Sequence, residues 1–147
     1  MNTSVAKPFR ILIADDDIDD IQLTKRLFVE KRLPIHVNDV GDGQILIDHL
    51  KTMTSISNSR DLPQLIILDL NMPTKSGLEA LQELKQDDAL RKIPVVIFST
   101  SQATEDVERA YELGASCFVT KPNSLEEWCD KMDKLGRFWM ECVSVFR

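Results

Sequence analysis

The stretch LIILDLNMP, residues 65–73, decides the fold class because a wholly apolar run ends abruptly in polar residues. Four apolar residues in a row predict a strand that is buried on both faces, as in a parallel sheet covered by helices. The run then reaches the carboxylate of Asp69, followed by Asn71 and Pro73. Ligands of open parallel sheets bind beyond the carboxyl ends of the strands, so this run predicts a polar site at the sheet edge.

Similar short apolar runs recur along the chain, between segments that have the apolar spacing of helices. With the first stretch they make five candidate strands: 10–14, 35–40, 65–70, 94–100 and 116–120. Ser76 with Glu79 fits the capping box that begins many helices. Ser124 with Glu127 fits the same motif, and Thr104 precedes two acids in a first helical turn. This alternation predicts an α/β fold with a five-stranded parallel sheet, doubly wound, and five helices.

Length and composition limit the number of domains and the kinds of partner. A chain of 147 residues with 43% hydrophobic content predicts a single domain, with a core over about residues 9–138 and a C-terminal helix extension to 147. The formal charge of -6 disfavours nucleic acid and anionic membrane surfaces as partners. The sequence has no apolar run long enough to cross a membrane and no secretory signal at its N-terminus. We therefore expect a cytoplasmic protein.

Polar residues end four of the predicted strands. The first strand ends in Asp15, Asp16 and Asp17, the third in Asp69 and the fourth in Ser99, and the fifth runs into Lys121. Carboxylates that converge at one edge repel each other unless a cation is present. Mg²⁺ prefers oxygen ligands and keeps several waters, so a few protein oxygens suffice to hold it. Asp16, Asp69 and the carbonyl of Asn71 are the candidate ligands.

A lysine and a hydroxyl beside a metal-bound carboxylate make a pocket suited to a phosphoryl group. Phosphoryl transfer requires mainly positioning and charge neutralisation, and Asp69 is the candidate nucleophile that would form an aspartyl phosphate. Taken singly, an acidic run is usually a solvated turn or a helix N-terminus. Lys121 alone would be a surface lysine, and Ser99 alone a strand-end hydroxyl. Their joint placement at the ends of separate strands favours the site.

The motifs at these positions resemble those of the receiver domain of two-component response regulators, over nearly the whole chain. They are ADDD at 14–17, LDLNMP at 68–73 followed by Gly77, the hydroxyl residue Ser99, and TKP at 120–122. The resemblance implies the flavodoxin/CheY-like fold. The tail and the long segment 51–61 are further similar to the small stand-alone regulators that accompany bacterial phytochrome-type histidine kinases.

The resemblance assigns roles to the individual residues at the site. It implies that Asp69 accepts the phosphoryl group from a phosphohistidine of a sensor histidine kinase. Asp16 would ligate Mg²⁺, or Mn²⁺, directly, and Asp15 would help to hold the ion or its waters. The carbonyl of Asn71 would complete the protein ligands, and Lys121 would pair with the phosphoryl oxygens.

The resemblance also implies a switch that involves Ser99 and Phe118. Ser99 would bond to the phosphoryl group and move with its loop, and Phe118 would turn into the vacated space. The face made by the fourth helix, the fifth strand and the fifth helix would then change. Serine at 99 replaces the commoner threonine, and Asn123 stands where an aromatic is frequent, but no reacting group is lost. Output would pass to a downstream protein or to a phosphotransfer protein of a phosphorelay.

Two segments leave alternatives open. Apolar residues continue at helical spacing through the tail: Trp128, Met132, Leu135, Trp139, Cys142 and Phe146. Either the extra turns fold back on their own domain, or they offer an apolar patch to a partner. A homodimer through the C-terminal helix, or through the helix 4–strand 5–helix 5 face, is one such use. Residues 51–61 are interpreted as the frayed end of the second helix followed by a long polar loop.

Two other function classes compete with a phosphoacceptor signalling protein. An enzyme that turns over small phosphorylated molecules through an aspartyl phosphate would resemble sites with a second acid two residues after the nucleophile. That position is Asn71, and the sequence offers no cap domain. A receiver-like adaptor that is never phosphorylated typically lacks the acceptor or the acidic pair, and both are intact. We therefore expect a signalling protein rather than an enzyme.

Overall fold

A computed structural model of the chain describes residues 7–56 and 61–145. Within these residues, five parallel strands form one sheet in the order β2-β1-β3-β4-β5. The strands are β1 Phe9–Ala14, β2 Ile35–Val40, β3 Leu65–Leu68, β4 Val95–Ser99 and β5 Cys117–Thr120. Each overlaps one of the predicted apolar runs. The strand order reverses between β1 and β3, which places the carboxyl ends of these two neighbours beside a crevice.

Five α-helices connect and follow the strands over the described residues, and they cover both faces of the sheet. They are α1 Ile18–Glu30, α2 Gly43–Ile56, α3 Gly77–Gln86, α4 Thr104–Glu112 and α5 Leu125–Arg137. The chain thus has the doubly wound α/β architecture that the sequence predicted.

The sheet separates two apolar cores, because alternate residues of a strand point to opposite faces. On β3, Ile66 and Leu68 face the core made with α2, α3 and α4, which we call the α2–α4 face. Leu65 and Ile67 face the core made with α1 and α5, which we call the α1–α5 face. All four side chains are buried. The continuous apolar run of β3 therefore reflects burial on both sides.

The helix starts follow the predicted signals in most cases. Ser76 forms both halves of the capping box of α3 with Glu79. Ser124 caps α5 by accepting the backbone N–H of Glu127 at 3.2 Å. Thr104 is the first residue of α4, whose N-cap position makes no side-chain hydrogen bond. The start of α4 is therefore marked by its first-turn acids and not by a capping side chain.

The C-terminal segment folds back on its own domain, which decides one of the open alternatives for the described residues. After α5 the chain makes one π-helical segment, Phe138–Cys142, and then becomes extended at Val143. Trp139 and Val145 pack against the core of the α1–α5 face. The prediction of a helix reaching 147 is wrong at 143–145, because the wider π turn ends the helical winding. Phe146 lies outside the described residues.

Residues 51–56 continue α2 to Ile56, so the predicted frayed end is regular helix. The polar loop predicted for the rest of this segment falls mostly on 57–60, which lie outside the described residues. The helices within 7–56 and 61–145 include none with the length and apolarity needed to cross a membrane.

Side chains from both neighbouring helices cover the free edge of β5. The Phe118 N–H donates to the hydroxyl of Tyr111, on α4, at 3.1 Å. The ammonium of Lys131, on α5, donates to the carbonyl of Thr120 at 3.2 Å. The unpaired backbone groups of an edge strand can pair with a strand of another chain. These two bonds engage the Phe118 N–H and the Thr120 carbonyl, so neither group is left for such pairing.

Candidate functional site

Three predicted site residues lie one position beyond the carboxyl ends of their strands. Each continues the sheet through its own backbone N–H: Asp15 to the Val40 carbonyl at 3.0 Å, Asp69 to the Ala14 carbonyl at 2.9 Å, and Lys121 to the Ser99 carbonyl at 2.8 Å. Their side chains follow the alternation of their strands toward the α1–α5 face. Because the three side chains point to the same face of the sheet and the strand order brings their strand ends together, three distant parts of the sequence meet at one site.

All three residues are almost fully buried, with relative exposures of the whole residue of 4% for Asp15, 7% for Asp69 and 7% for Lys121. Ionised groups at this depth require partners, because leaving water costs each of them several kcal/mol. The cluster supplies those partners from within itself.

The ammonium of Lys121 lies among three carboxylates. It is 2.7 Å from Asp15, 2.8 Å from Asp20 and 3.4 Å from Asp69. Asp20 was not among the site residues predicted from the sequence. The signal was present in the acidic run 15–20, because a helix that begins at Ile18 places Asp20 in its first turn.

Burial and ion pairing act in opposite directions on the pKa values at the site. Burial by itself lowers the pKa of Lys121, but hydrogen bonds to Asp15 and Asp20 outweigh it and raise that pKa above its usual value. Burial raises the pKa of Asp15 to about 6, and the nearby charge of Asp69 acts in the same direction. Bonds from Lys121 and from the Asp17 N–H oppose this rise. At neutral pH the site therefore holds more negative than positive charge.

Three carboxylates are placed to hold a cation. Oxygens of Asp15, Asp16 and Asp69 lie within 4.8 Å of one another, and Asp16 is the exposed member. An all-oxygen set that is open to water on one side fits Mg²⁺ or Mn²⁺, which keep several waters in their coordination shell. Asn71, the fourth predicted ligand, is exposed in the loop that follows Asp69. Its role as a carbonyl ligand stays a prediction.

The start of α3 fixes the position of Asp69. A Cβ atom at Gly77 would lie 2.1 Å from the Asp69 carbonyl oxygen, so only glycine permits this approach. The Gly77 N–H donates to the Leu70 carbonyl at 2.9 Å. One carboxylate oxygen of Asp69 accepts the Leu70 N–H at 2.8 Å, which orients the side chain.

The loop that carries Asn71 is held by the start of α2. Thr74 has φ +66°, a conformation that is costly for a β-branched residue. A hydrogen bond from the Thr74 side chain to Asp42 lowers the pKa of that carboxyl. A Cβ atom at Gly43 would lie 2.0 Å from the Lys75 carbonyl oxygen, so the two loops are in close contact.

The predicted switch residues, Ser99 and Phe118, lie on β4 and β5, and their side chains follow the alternation toward the face of the sheet opposite to that of the carboxylate cluster. Ser99 is fully buried at the end of β4, and its hydroxyl accepts the Ser101 N–H at 3.2 Å. The Ser101 hydroxyl in turn donates to Asp106, in the first turn of α4, at 2.6 Å. Phe118 is half-buried and packs against the core of the α2–α4 face. This arrangement links Ser99 to α4 by two hydrogen bonds, and the switch itself stays a prediction.

Comparison with known proteins identifies relatives along almost the full length of the chain. The profile of the response regulator receiver domain matches residues 11–133. Response regulator Rcp1 of Synechocystis sp. (strain ATCC 27184 / PCC 6803 / Kazusa) is 33% identical over 138 residues, covering 94% of this chain and 93% of Rcp1. The probable methanogenesis regulatory protein FilR2 of Methanothrix harundinacea (strain 6Ac) is 30% identical over 133 residues, covering 90% of this chain and 84% of FilR2.

Solved structures agree with these relatives. The phosphorylated cyanobacterial phytochrome response regulator RcpA superimposes with a TM-score of 0.87 at 31% identity, covering 95% of this chain and 99% of that one. The Mn²⁺-bound form of response regulator Rcp1 gives a TM-score of 0.86 at 32% identity, covering 95% of this chain and 100% of that one. The predicted fold and the predicted likeness to small phytochrome-associated regulators are confirmed.

Proposed function

Because the chain belongs to the receiver-domain family of two-component response regulators, we propose that it is a single-domain regulator whose Asp69 accepts a phosphoryl group from a sensor histidine kinase. One observation supports the choice of Asp69 as the phosphoryl acceptor. The Asp69 carboxylate lies within 4.8 Å of oxygens of Asp15 and Asp16 and 3.4 Å from the ammonium of Lys121. A carboxylate can attack an anionic phosphoryl donor only where fixed positive charge offsets the repulsion.

In the proposed transfer, an oxygen of Asp69 forms a bond to phosphorus as the P–N bond of the donor phosphohistidine breaks. The electron pair of that bond remains on the leaving imidazole. Asp15, Asp16, Asp69 and the Asn71 carbonyl would hold a divalent cation, Mg²⁺ or Mn²⁺, which would neutralise charge on the phosphoryl oxygens. The solved Mn²⁺-bound form of Rcp1 supports this choice of metal.

Lys121 and Ser99 complete the proposed site from two neighbouring strands. Lys121 provides the one ammonium of the cluster and would pair with the phosphoryl oxygens. The buried hydroxyl of Ser99 would donate to another of those oxygens once its loop moves. Since Ser99 is already linked to the start of α4, that movement would reach the face of α4, β5 and α5, where Phe118 lies.

The proposed partners follow from this chemistry. A sensor histidine kinase supplies the phosphoryl group, and the similarity to the phytochrome response regulator RcpA favours a kinase of the phytochrome type. A downstream protein or a phosphotransfer protein receives the signal by direct contact, in the cytoplasm. The protein catalyses only its own phosphorylation and dephosphorylation and turns over no other substrate. A homodimer through the α4–β5–α5 face stays a prediction from the sequence.

The decisive experiment is intact mass spectrometry after incubation with acetyl phosphate and Mg²⁺. We expect one phosphoryl adduct on the wild-type chain, and none on Asp69→Asn or in the presence of EDTA. Asp19→Asn, an exposed neighbour in the same acidic run, controls for a general loss of charge and should still be modified. An adduct that persists in Asp69→Asn would overturn the assignment of the acceptor. Absence of any adduct, with Mg²⁺ binding confirmed by calorimetry, would overturn the phosphoacceptor function.

A further inference from the structure

Lys121 binds Asp69 less closely than it binds its other two partners. Charge-assisted N–H···O bonds are typically about 2.7–2.9 Å long. The distances to Asp15 and Asp20, 2.7 and 2.8 Å, lie in this range, whereas the 3.4 Å distance to Asp69 does not. The lysine is therefore held mainly by Asp15 and Asp20, and Asp69 is its weakest partner.

Asp20 differs from the other carboxylates in its place in the fold. It is carried by the first turn of α1, whereas Asp15 and Asp69 extend strands of the sheet. Its carboxylate does not belong to the group of oxygens from Asp15, Asp16 and Asp69 that could share a cation. A divalent ion at that group would engage Asp15 and Asp69 but would leave Asp20 to Lys121.

The ammonium of Lys121 has three N–H donors and three carboxylate neighbours. Two of its donors make short bonds to Asp15 and Asp20, so the ammonium has to lengthen one of these two bonds to approach a phosphoryl group on Asp69. The side chain of Asp20 is 24% exposed, compared with 6% for Asp15 and 8% for Asp69. Asp20 is thus the one partner that can rotate into water at low cost when the lysine turns away.

We propose that Asp20 is a positioning residue for phosphoryl transfer: it holds Lys121 in the resting state and competes with the phosphoryl group for the same ammonium. This inference rests on the proposed function of Asp69 and Lys121. Loss of the Asp20 charge frees the lysine, so the site then binds a phosphoryl group more tightly. A hydrogen bond to a charged acceptor is stronger than one to a neutral amide, which makes the expected gain about fivefold.

The test is titration of beryllofluoride, an analogue of the phosphoryl group, in saturating Mg²⁺, followed by ¹⁹F NMR. Asp20→Asn keeps the size of the side chain and removes its charge. Asp19→Asn removes the same charge from the adjacent, exposed position and serves as the matched control. We expect Asp20→Asn to bind beryllofluoride about fivefold more tightly than Asp19→Asn does, and Asp20→Glu to return toward wild type.

A second measurement separates positioning from a general change in the site. Mg²⁺ affinity without beryllofluoride, measured by calorimetry, should be the same in Asp20→Asn and Asp19→Asn within about twofold. Equal beryllofluoride affinity in the two variants, or weaker binding in Asp20→Asn, would overturn the inference. A gain in Mg²⁺ affinity that accounts for the whole gain in beryllofluoride affinity would overturn it as well. Failure of the wild-type chain to bind beryllofluoride would instead overturn the proposed function of Asp69.

Discussion

At the scale of single residues, the position of Asp69 depends on the absence of a side chain at Gly77. The Cβ atom of any other residue would fall 2.1 Å from the Asp69 carbonyl oxygen, a backbone atom that can move only together with the end of β3. The LDLNMP motif and this glycine thus depend on each other, since Asp69, the proposed acceptor, can take this position only where α3 approaches closely.

Gly77→Ala should therefore lower both stability and phosphoryl acceptance. We expect the free energy of unfolding to fall by about 2 kcal/mol, because the added methyl group forces a backbone shift in a packed region. Urea denaturation measures the loss of stability, and intact mass measures the adduct. Gly41→Ala is the matched control, since its Cβ atom would meet the Asp15 carbonyl oxygen at an ordinary 3.7 Å. Equal effects in the two variants would contradict this account.

Asp15 makes the stability of the protein depend on pH. Burial raises its pKa from 3.8 to about 6, so between these values the folded state keeps a proton that the unfolded state releases. The Asp15 contribution to stability is consequently greatest at low pH and declines as pH rises through that window. The folded protein therefore has a smaller free energy of unfolding when Asp15 is ionised, as the proposed metal site needs at neutral pH, than when Asp15 is protonated.

Asp15→Asn should be more stable than the wild type in metal-free buffer at pH 7, with a difference that shrinks toward pH 4. We expect a rise in melting temperature of about 3 °C or more at pH 7. Thermal denaturation followed by circular dichroism at several pH values tests this. A difference that is constant with pH, or one that grows as pH falls, would show that the Asp15 charge is not its source.

At the scale of secondary-structure elements, β5 is the strand where the site meets an outer edge of the sheet. It leads into Lys121, and its outward backbone groups are bonded by side chains of α4 and α5. The Tyr111 hydroxyl is the acceptor for the Phe118 N–H, and Phe118 is the predicted switch residue. Any displacement of α4 relative to β5 must therefore break or stretch this bond.

Tyr111→Phe should expose the Phe118 N–H to solvent exchange. Loss of one hydrogen bond worth about 1 kcal/mol predicts about fivefold faster amide exchange at this residue. NMR-detected hydrogen exchange measures it residue by residue. Lys131→Met removes the bond to the neighbouring Thr120 carbonyl and should leave the Phe118 rate unchanged. An unaltered Phe118 rate in Tyr111→Phe would mean that this bond does not protect the strand edge.

The elements could be predicted from the sequence to different degrees, for physical reasons. The five strands and the capped starts of α3 and α5 are local signals, set by apolar runs and by residues three positions apart. The end of the C-terminal helix was predicted wrongly because the spacing of apolar residues does not distinguish a π-helical turn, such as Phe138–Cys142, from a further α-helical turn. The contact of Asp20 with Lys121 was missed because it joins α1 to the end of β5, and only the assembled strand order brings these together.

At the scale of the whole molecule, the concentration of carboxylates at one end of the sheet links cation binding to folding. A ligand that binds only the folded state raises its stability in proportion to the logarithm of ligand excess. Asp15, Asp16 and Asp69 come from two strand ends that are far apart in the sequence, so the unfolded chain cannot present the same set.

Mg²⁺ at 10 mM should raise the melting temperature by about 2 °C or more over NaCl of equal ionic strength. Differential scanning calorimetry measures the shift. Asp16→Asn should lose most of this shift in melting temperature, because it removes one of the three carboxylates that could hold the cation. Asp19→Asn, with the same change of net charge, should keep it. A shift of equal size in both variants would indicate general screening and not a bound ion.

The edge-to-face pair of aromatic rings near Lys121 has an optical consequence. Trp128, one of two tryptophans in the chain, is buried with its ring centroid 5.0 Å from that of Phe98, and the Lys121 ammonium lies 6.0 Å from the Phe98 centroid. Indole emission responds to the local electric field, so a movement of this one positive charge changes the fluorescence of Trp128. With Trp139 replaced by Phe, the protein carries its own unlabelled reporter, and the occupancy of its site can be followed by emission wavelength in real time.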